Sequence, residues 1–238
     1  MPQGGDDAEL RRRLDEVDAL RRRVLNVIPH ALRTPITTLR GLSAAMATAS
    51  EDEIRSVIAP ALNRLATQSE HLLDDMLIAA GYTTALPTAP PEATPVAAVA
   101  RAVWSELGGG ELHVEGDDSI EVMAPGGALF KVMVHLLDNA VKYGEPPYIV
   151  RIGREAASVV IEICTGGSVP AAELPMLGEP FFRAEAAVMR SAGLGVGLTV
   201  SRCLVEQAGG TLSISAPDHG GLVVRLVMTA ADAHRAAS

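Results

Sequence analysis

The sequence predicts an α+β protein in which a helical hairpin precedes an α/β sandwich. In the first third of the chain, apolar residues recur at three- and four-residue spacing over two long segments, as in amphipathic helices. The remainder alternates short apolar strands with helical segments, which predicts a sheet with helices on one face. Residues 81–95 are rich in proline and threonine and predict a linker. The predicted domains are therefore residues 8–82 and 95–230.

The first segment of the hairpin is predicted to be helical from Ala8 to about Thr48. Its apolar positions follow the spacing of a bundle helix. Ser50 and Glu53 have the spacing of a capping box, which predicts that the second helix begins near Glu51 and continues to Ala80. Two helices cannot bury both apolar stripes alone, so we expect a homodimer in which two hairpins form a four-helix bundle.

A histidine, His30, lies inside the first predicted helix with a proline on either side of it. Pro29 and Pro35 each remove a backbone donor, so the helix should bend there. Thr34 lies four residues after His30 and shares its helical face. Taken alone, the pattern indicates a surface histidine on an irregular helix, and only the rest of the chain favours a functional residue.

The second domain should contain three helices and six strands. The helix Val96–Leu107 is expected to end at the glycines that follow it, and two others are expected near residues 126–142 and 195–208. The strands are expected to form hairpins. They are predicted near residues 111–115, 119–123, 148–154, 158–164, 211–216 and 221–229.

Two features of the second domain suggest a nucleotide site. His135, Asn139, Lys142 and Tyr143 are spaced by four and three, so they project from the polar side of the helix over 126–142. Taken alone, this pattern is more typical of an ordinary solvated helix face than of a binding site. A glycine triplet at positions 193, 195 and 197 opens the last helix, where backbone N–H groups can bind phosphate.

Composition excludes several classes of protein. A net charge of −9 and an isoelectric point near 5.1 disfavour a nucleic-acid partner. Two cysteines are too few for a disulfide framework and favour a reducing, cytoplasmic location. No apolar run reaches the length of a membrane span. The six histidines lack the ligand spacing of a protein metal site.

The order of motifs carries a family resemblance. The segments PHALRTP, HLLDNAVKYG, ICTGGSVP, EPFFR and GLGVGLTVSRCLVEQAGG follow one another as the boxes of bacterial two-component sensor histidine kinases do. The similarity covers the chain from about Arg11 to Thr229. It implies a dimerisation and phosphoacceptor hairpin followed by an ATP-binding domain of the histidine kinase and gyrase type.

The resemblance also implies roles for single residues. His30 would accept a phosphoryl group from ATP and pass it to the receiver domain of a response regulator, and Thr34 occupies the position that orients water for phosphatase activity. Asn139 would hold Mg²⁺, Lys142 the phosphates, and Tyr143 would lie against the nucleotide. Residues 179–183 match the phenylalanine box. The remaining nucleotide-binding positions would be Gly166, Arg190, Gly193, Gly195 and Gly197.

Four positions depart from the family pattern. The acidic residue that usually follows the acceptor histidine is Ala31, which predicts a slow kinase because a general base contributes roughly 10²–10⁴-fold. His135 replaces an asparagine, and Ser168 replaces a glycine. Cys164 stands where the family has the aspartate that reads adenine, so weak ATP affinity is expected.

Three functions stay open at this point. The first is an ATP-dependent histidine kinase acting on a response regulator, with its input from a separate sensor protein or from another part of a longer protein. The second is a phosphotransfer or phosphatase module of the same architecture that no longer uses ATP. The third is a non-catalytic dimeric scaffold. ATP binding separates the first from the others, and phosphotransfer from a phosphorylated regulator separates the second from the third.

Overall fold

The computed structural model describes residues 28–29, 31–82, 86–184, 194–217 and 220–233. The predicted helix over residues 8–27 therefore lies outside the described residues. Residues 28–29 and 31–46 are helical, and the second of these stretches is helix α1. A turn at residues 47–50 leads into the second helix, so the prediction of two helices in this part of the chain is confirmed over residues 31–79.

The second helix, α2, begins where the capping box predicts. Ser50 caps it: its hydroxyl accepts from the Glu53 N–H, while the Glu53 carboxylate accepts from the Ser50 N–H at 2.8 Å. The helix consists of Glu51–Glu53, a π-helical turn at Ile54–Ile58, and an α-helical part at Ala59–Ala79. The sequence analysis missed the π-turn. It ends two residues before Pro60, which has no N–H to donate to the preceding turn.

The linker prediction was wrong for its last five residues. Pro91–Pro95 form strand β1, which pairs antiparallel with β3, Glu121–Pro125. This two-stranded sheet ties the start of the sandwich to its middle, and the next helix, α3, follows β1 at once over Val96–Leu107. The predicted bounds of α3 are confirmed, and Gly108 ends it in the left-handed conformation that glycine adopts readily.

The main sheet has five strands in the order β2-β4-β5-β7-β6. All neighbours are antiparallel except β2 and β4, which are parallel, so the expectation of hairpins throughout was wrong for this pair. Helix α4 lies between β3 and β4 in the chain, and α5 between β5 and β6. Their bounds are α4 Ala128–Tyr143, α5 Gly197–Gln207, β2 Leu112–Gly116, β4 Glu145–Glu155, β5 Ser158–Gly166, β6 Thr211–Ser215 and β7 Leu222–Thr229.

The core lies between this sheet and helices α3, α4 and α5. Helix α4 buries the apolar side that lies opposite its predicted polar residues, except that Val141 is only partly covered. The same core receives Met76, Ile78 and Ala79 from the end of α2. The hairpin is therefore packed against the sandwich in this structure, and side chains of both parts can line one site.

The outer face of the sheet carries a row of charged side chains between apolar positions such as Ile149 and Val160. A single row crosses the five strands through Glu115, Arg151, Glu162, Arg225 and Ser213. Arg151 donates to the Glu115 carboxylate at 2.8 Å, and the Arg225 Nε lies 3.5 Å from the Glu162 carboxylate. Opposite charges on neighbouring strands attract one another, and the charged row stays in contact with water.

One corner of the sandwich is built around an aromatic pair. Trp104 on α3 is buried, and its ring centroid lies 5.0 Å from that of Tyr148 on β4. The indole Nε1 donates to the carbonyl of Gly110 at 2.7 Å. The polar end of the indole is thus satisfied while its apolar body joins α3 to the edge of the sheet.

Candidate functional site

A cleft of about 1010 Å³ lies between the hairpin and the sandwich. One wall comes from α1 and α2, and includes Thr34, Thr38 and Leu72. The opposite wall comes from α4, the end of β5 and the start of α5. Both walls belong to one chain.

Helix α4 brings all four of its predicted polar residues to the cleft. His135, Asn139, Lys142 and Tyr143 line it together, as their spacing on one helical face requires. Lys142 already has a partner, because its ammonium group lies 2.5 Å from the carboxylate of Asp138 one turn earlier. A phosphate bound by Lys142 would therefore share that cation with Asp138.

The start of α5 faces Asn139 across a short gap. A Cβ atom on Gly197 would lie 3.5 Å from the Asn139 amide nitrogen and 3.4 Å from His135 Nδ1. Val196 precedes the helix and makes no side-chain cap, so the first backbone N–H groups of this 11-residue helix keep no intrahelical or capping partner. Uncapped N–H groups at the positive end of a helix dipole suit an anion such as a phosphate.

Close backbone approach explains the glycines on this side of the cleft. A Cβ on Gly195 would stand 2.3 Å from the carbonyl oxygen of Phe182, and one on Gly166 would stand 2.6 Å from that of Pro146. Gly195 also has a φ of +70°. Thr199, one turn into α5, fixes the helix by donating to the Gly178 carbonyl at 3.0 Å. Larger residues at either glycine would push the lining segments apart.

Three of the predicted site residues, His30, Arg190 and Gly193, lie outside the described residues. Their neighbours Ala31 and Leu194 do line the cleft. Thr34 lies on its hairpin wall, and the Thr34 carbonyl accepts a hydrogen bond from the Thr38 hydroxyl at 3.1 Å.

The expected position of Cys164 in the site was wrong. Cys164 pairs with Ile149 and Val223 across the sheet and shares the outer face with Glu162 and Arg151, whose guanidinium lies 3.6 Å from the sulfur. The side chain that faces the cleft at this point of β5 is that of Thr165. Alternation along a strand makes the two positions mutually exclusive.

The surroundings of Cys164 also argue against a reactive thiol. Burial raises the pKa of the Cys164 thiol; the charge of Arg151 opposes this, and the carboxylates of Glu162 and Glu115 add to the rise. The thiol is therefore protonated near neutral pH.

The sequence analysis missed Asp75, which comes from α2 and joins the far side of the cleft. Its carboxylate lies 2.8 Å from Lys131 Nζ and 3.3 Å from His135 Nε2. At 3.3 Å the second contact is an ion-pair distance rather than a well-aligned hydrogen bond. These two partners are one turn apart on α4. The sequence shows only that Asp75 directly precedes the apolar end of α2.

The cleft has the features that a magnesium–nucleotide complex needs. In the part of the chain that the structure describes, no three acidic, histidine or cysteine residues form a metal-binding group. An ion held by Asn139 would therefore take its remaining ligands from phosphate oxygens and water, which is usual for Mg²⁺ in phosphoryl-transfer sites. The space above Gly197, which a Cβ would fill, leaves room for that group.

No described helix has the length and apolarity needed to cross a membrane.

Comparison with known proteins gives a consistent result. Residues 124–232 match the model of the histidine kinase-, DNA gyrase B- and HSP90-like ATPases. The chain is 32% identical over 232 residues to the sensor protein KdpD of Mycobacterium tuberculosis, covering 90% of this chain and 26% of KdpD. It is 27% identical over 209 residues to the sensor histidine kinase YkoH of Bacillus subtilis, covering 83% and 45%.

Among solved structures, the fold is similar to that of the histidine kinase AdeS of Acinetobacter baumannii. The TM-score is 0.54 at 20% identity, with 84% of this chain and 97% of the AdeS chain covered. This likeness extends the shared fold beyond the ATPase-like residues into the helical half. The chain spans only about a quarter of the length of KdpD and under half of that of YkoH.

Proposed function

This chain belongs to the sensor histidine kinases, and on that premise we propose that it is the kinase core of a two-component signalling system. ATP bound in the cleft supplies a phosphoryl group to a ring nitrogen of His30, with ADP as the leaving group. The phosphorylated histidine then passes the group to an aspartate on the receiver domain of a response regulator.

The observation that carries this proposal is the shared cleft. Asn139, Lys142 and Gly197 line one wall, while Ala31 and Thr34, which flank the acceptor position in the chain, line the other. A phosphoryl donor and its acceptor helix have to meet in such a space, because proximity and orientation supply much of the catalysis in phosphoryl transfer. A cleft lined by the sandwich alone would not support the proposal in this way.

Each residue of the sandwich has a defined task in this scheme. The N–H groups at the start of α5 bind the terminal phosphates, and Lys142 adds a cation while remaining near Asp138. Asn139 is a ligand of Mg²⁺, which offsets charge on the phosphates when it is bound. Tyr143 borders the nucleotide. Glycines 166 and 195 let the backbone approach closely. Gly193 and Arg190, which lie outside the described residues, are nucleotide-binding positions in this proposal only by the family resemblance.

The hairpin residues set the rate. Ala31 lines the cleft but has no group that could accept the imidazole proton. We therefore expect transfer to be slow by comparison with enzymes that carry a carboxylate there, since general bases contribute roughly 10²–10⁴-fold.

We also propose that two chains form a homodimer through the hairpin. Leu32, Ile36, Leu39, Val57 and Leu73 are large apolar side chains that remain 42–60% exposed in the single chain. Their positions on α1 and α2 suit a four-helix bundle with a second copy. Sedimentation of the full chain as a folded monomer at micromolar concentration would contradict this.

The kinase proposal is tested by labelling with ATP. Incubation of the full chain with γ-³²P-labelled ATP and Mg²⁺ should give acid-labile, base-stable label, and His30→Gln should abolish it. His71→Gln is the matched control, because His71 is the other hairpin histidine and also lines the cleft. It should keep the label.

Label that persists in His30→Gln and disappears in His71→Gln would move the acceptor to α2. Absence of label in the wild-type chain, together with absence of ATP binding by calorimetry, would refute the kinase proposal.

A further inference from the structure

Asp75 is a carboxylate in an unusual place. It belongs to the hairpin helix α2, yet only 8% of the residue is exposed, because the sandwich covers it. The residues that follow it, Met76, Ile78 and Ala79, are buried in the core of the sandwich. An aliphatic residue would satisfy such a position more simply, so the carboxylate calls for an explanation.

Two side chains of the sandwich, an ammonium group and an imidazole, meet this single carboxylate. Lys131 Nζ lies 2.8 Å from one Asp75 oxygen, and His135 Nε2 lies 3.3 Å from the other. The side chains of all three are largely covered, with 12–23% exposed. Ion pairs that are sheltered from water are screened less than surface pairs, and removal of one partner leaves a poorly solvated charge.

The carboxylate is held in its charged form by these partners. Burial favours the neutral acid and would raise the pKa of Asp75. The contacts with His135 and then Lys131 outweigh burial and lower this pKa below its ordinary value of 3.8. Asp75 is therefore ionised at neutral pH. The stabilisation exists only while α2 and α4 are in contact, since water solvates all three groups once they separate.

His135 connects this contact to the nucleotide side of the cleft. Its Nε2 faces Asp75 of the hairpin, while its Nδ1 would lie 3.4 Å from a Cβ on Gly197 at the start of α5. One imidazole thus reaches from the hairpin to the uncapped helix end. A movement of α2 away from α4 would remove the support for this ring.

We propose that Asp75 holds the sandwich against the hairpin of its own chain through its electrostatic contacts with Lys131 and His135. We call this set of contacts the latch. The latched state places the nucleotide wall opposite α1. Release of the latch frees the sandwich to move and removes the anchor of His135 beside Gly197. The link to nucleotide binding rests on the proposed function, whereas the latch itself does not.

The test measures the distance between the two parts in the full chain. Spin labels are attached to Ser43→Cys on α1 and Ser105→Cys on α3, both exposed, in a background carrying Cys164→Ser and Cys203→Ser. Labelled chains are mixed with excess unlabelled chains so that only distances within one chain are observed. The distance distribution is recorded without nucleotide for each variant, after circular dichroism has confirmed native helix content.

Asp75→Asn should reduce the ratio of docked to released molecules by about ten-fold or more, because Lys131 loses its counter-charge in a covered position. Asp74→Asn is the matched control: it removes a neighbouring carboxylate on the same helix that does not line the cleft. It should leave the distribution unchanged. Asp75→Lys should release the sandwich, and adding Lys131→Asp should restore docking in part, since the pair is then reversed.

Identical distributions for Asp75→Asn, Asp74→Asn and the parent would overturn the latch, as would a double variant no better docked than Asp75→Lys alone. Dissociation of a fluorescent ATP analogue tests the link to the nucleotide and should be several-fold faster in Asp75→Asn than in Asp74→Asn. If no variant binds nucleotide, the proposed function fails, while the distances still decide the latch.

Discussion

On the inner face of the five-stranded sheet, Ile161, Ile163 and Thr165 point toward the helices and the cleft, whereas Glu162 and Cys164 lie on the outer face. These are five consecutive residues of β5. Ile161 and Ile163 are buried in the core, and Thr165 lines the cleft. Glu162 belongs to the charged row on the outer face, and Cys164 lies beside that row. The comparison teaches that the two-residue period of the strand, more than the identity of a neighbouring motif, decides which side chains reach the cleft.

The largest contrast between the faces should be in stability. Ile161→Ala should lower the free energy of unfolding by about 2–5 kcal/mol, because the side chain is fully buried and its removal leaves a cavity. The adjacent Glu162→Gln should cost less than about 1 kcal/mol, since its ion pair with Arg225 is partly solvated. Urea denaturation of both variants measures the difference. Equal losses would show that the charged row contributes as much to the free energy of unfolding as the core does.

A smaller contrast should be visible in nucleotide affinity. Thr165→Val keeps the shape of the side chain but removes the hydroxyl of a residue that lines the cleft, so ATP binding should weaken roughly two- to ten-fold, the range of one neutral hydrogen bond. Cys164→Asp should change it less than about two-fold, because the new carboxylate would meet Arg151 outside the cleft. Calorimetry decides between the positions. A ten-fold gain in Cys164→Asp would return the base-reading role to position 164.

The smallest effect expected is that of ATP on the reactivity of the outer thiol, Cys164. In a Cys203→Ser background, Cys164 should react slowly with iodoacetamide at pH 7.5, and its rate should rise about ten-fold per pH unit through pH 9. The reason is that burial raises the pKa of the thiol above its ordinary value of 9.0, so thiolate is scarce until the solution is more alkaline. Saturating ATP should not protect it. Strong protection by ATP would place the sulfur inside the cleft, and a plateau in rate below pH 9 would show that the pKa of the thiol is not raised.

Much of the fold could be predicted because it depends on local patterns. The capping box at Ser50, the bounds of α3 and the buried stripe of α4 all follow from residues within one or two turns of each other. Strand β1 could not be predicted in the same way. Two of its five residues are proline, and its strand character comes from pairing with β3, about thirty residues later.

The site shows the same division. Residues that share α4, such as Asn139 and Lys142, were grouped correctly because helix geometry fixes their side. The sequence contained the signal for Thr165 as well, since Ile161 and Ile163 set the phase of the inner face. Matching the glycine-rich motif to the family pattern placed Cys164 in the site instead, against the alternation of the strand. The contact of Asp75 with His135 joins residues 60 positions apart in two domains, and no local pattern reports it.

The single tryptophan of the chain has a practical consequence. Trp104 lies at the corner between α3 and β4, held by Tyr148 and the Gly110 carbonyl, and it is not among the residues that line the described cleft. With only three tyrosines and one tryptophan in 238 residues, intrinsic fluorescence comes almost entirely from this one corner. Its emission is therefore an unlabelled optical reporter for folding of the sandwich that a ligand in the cleft does not touch.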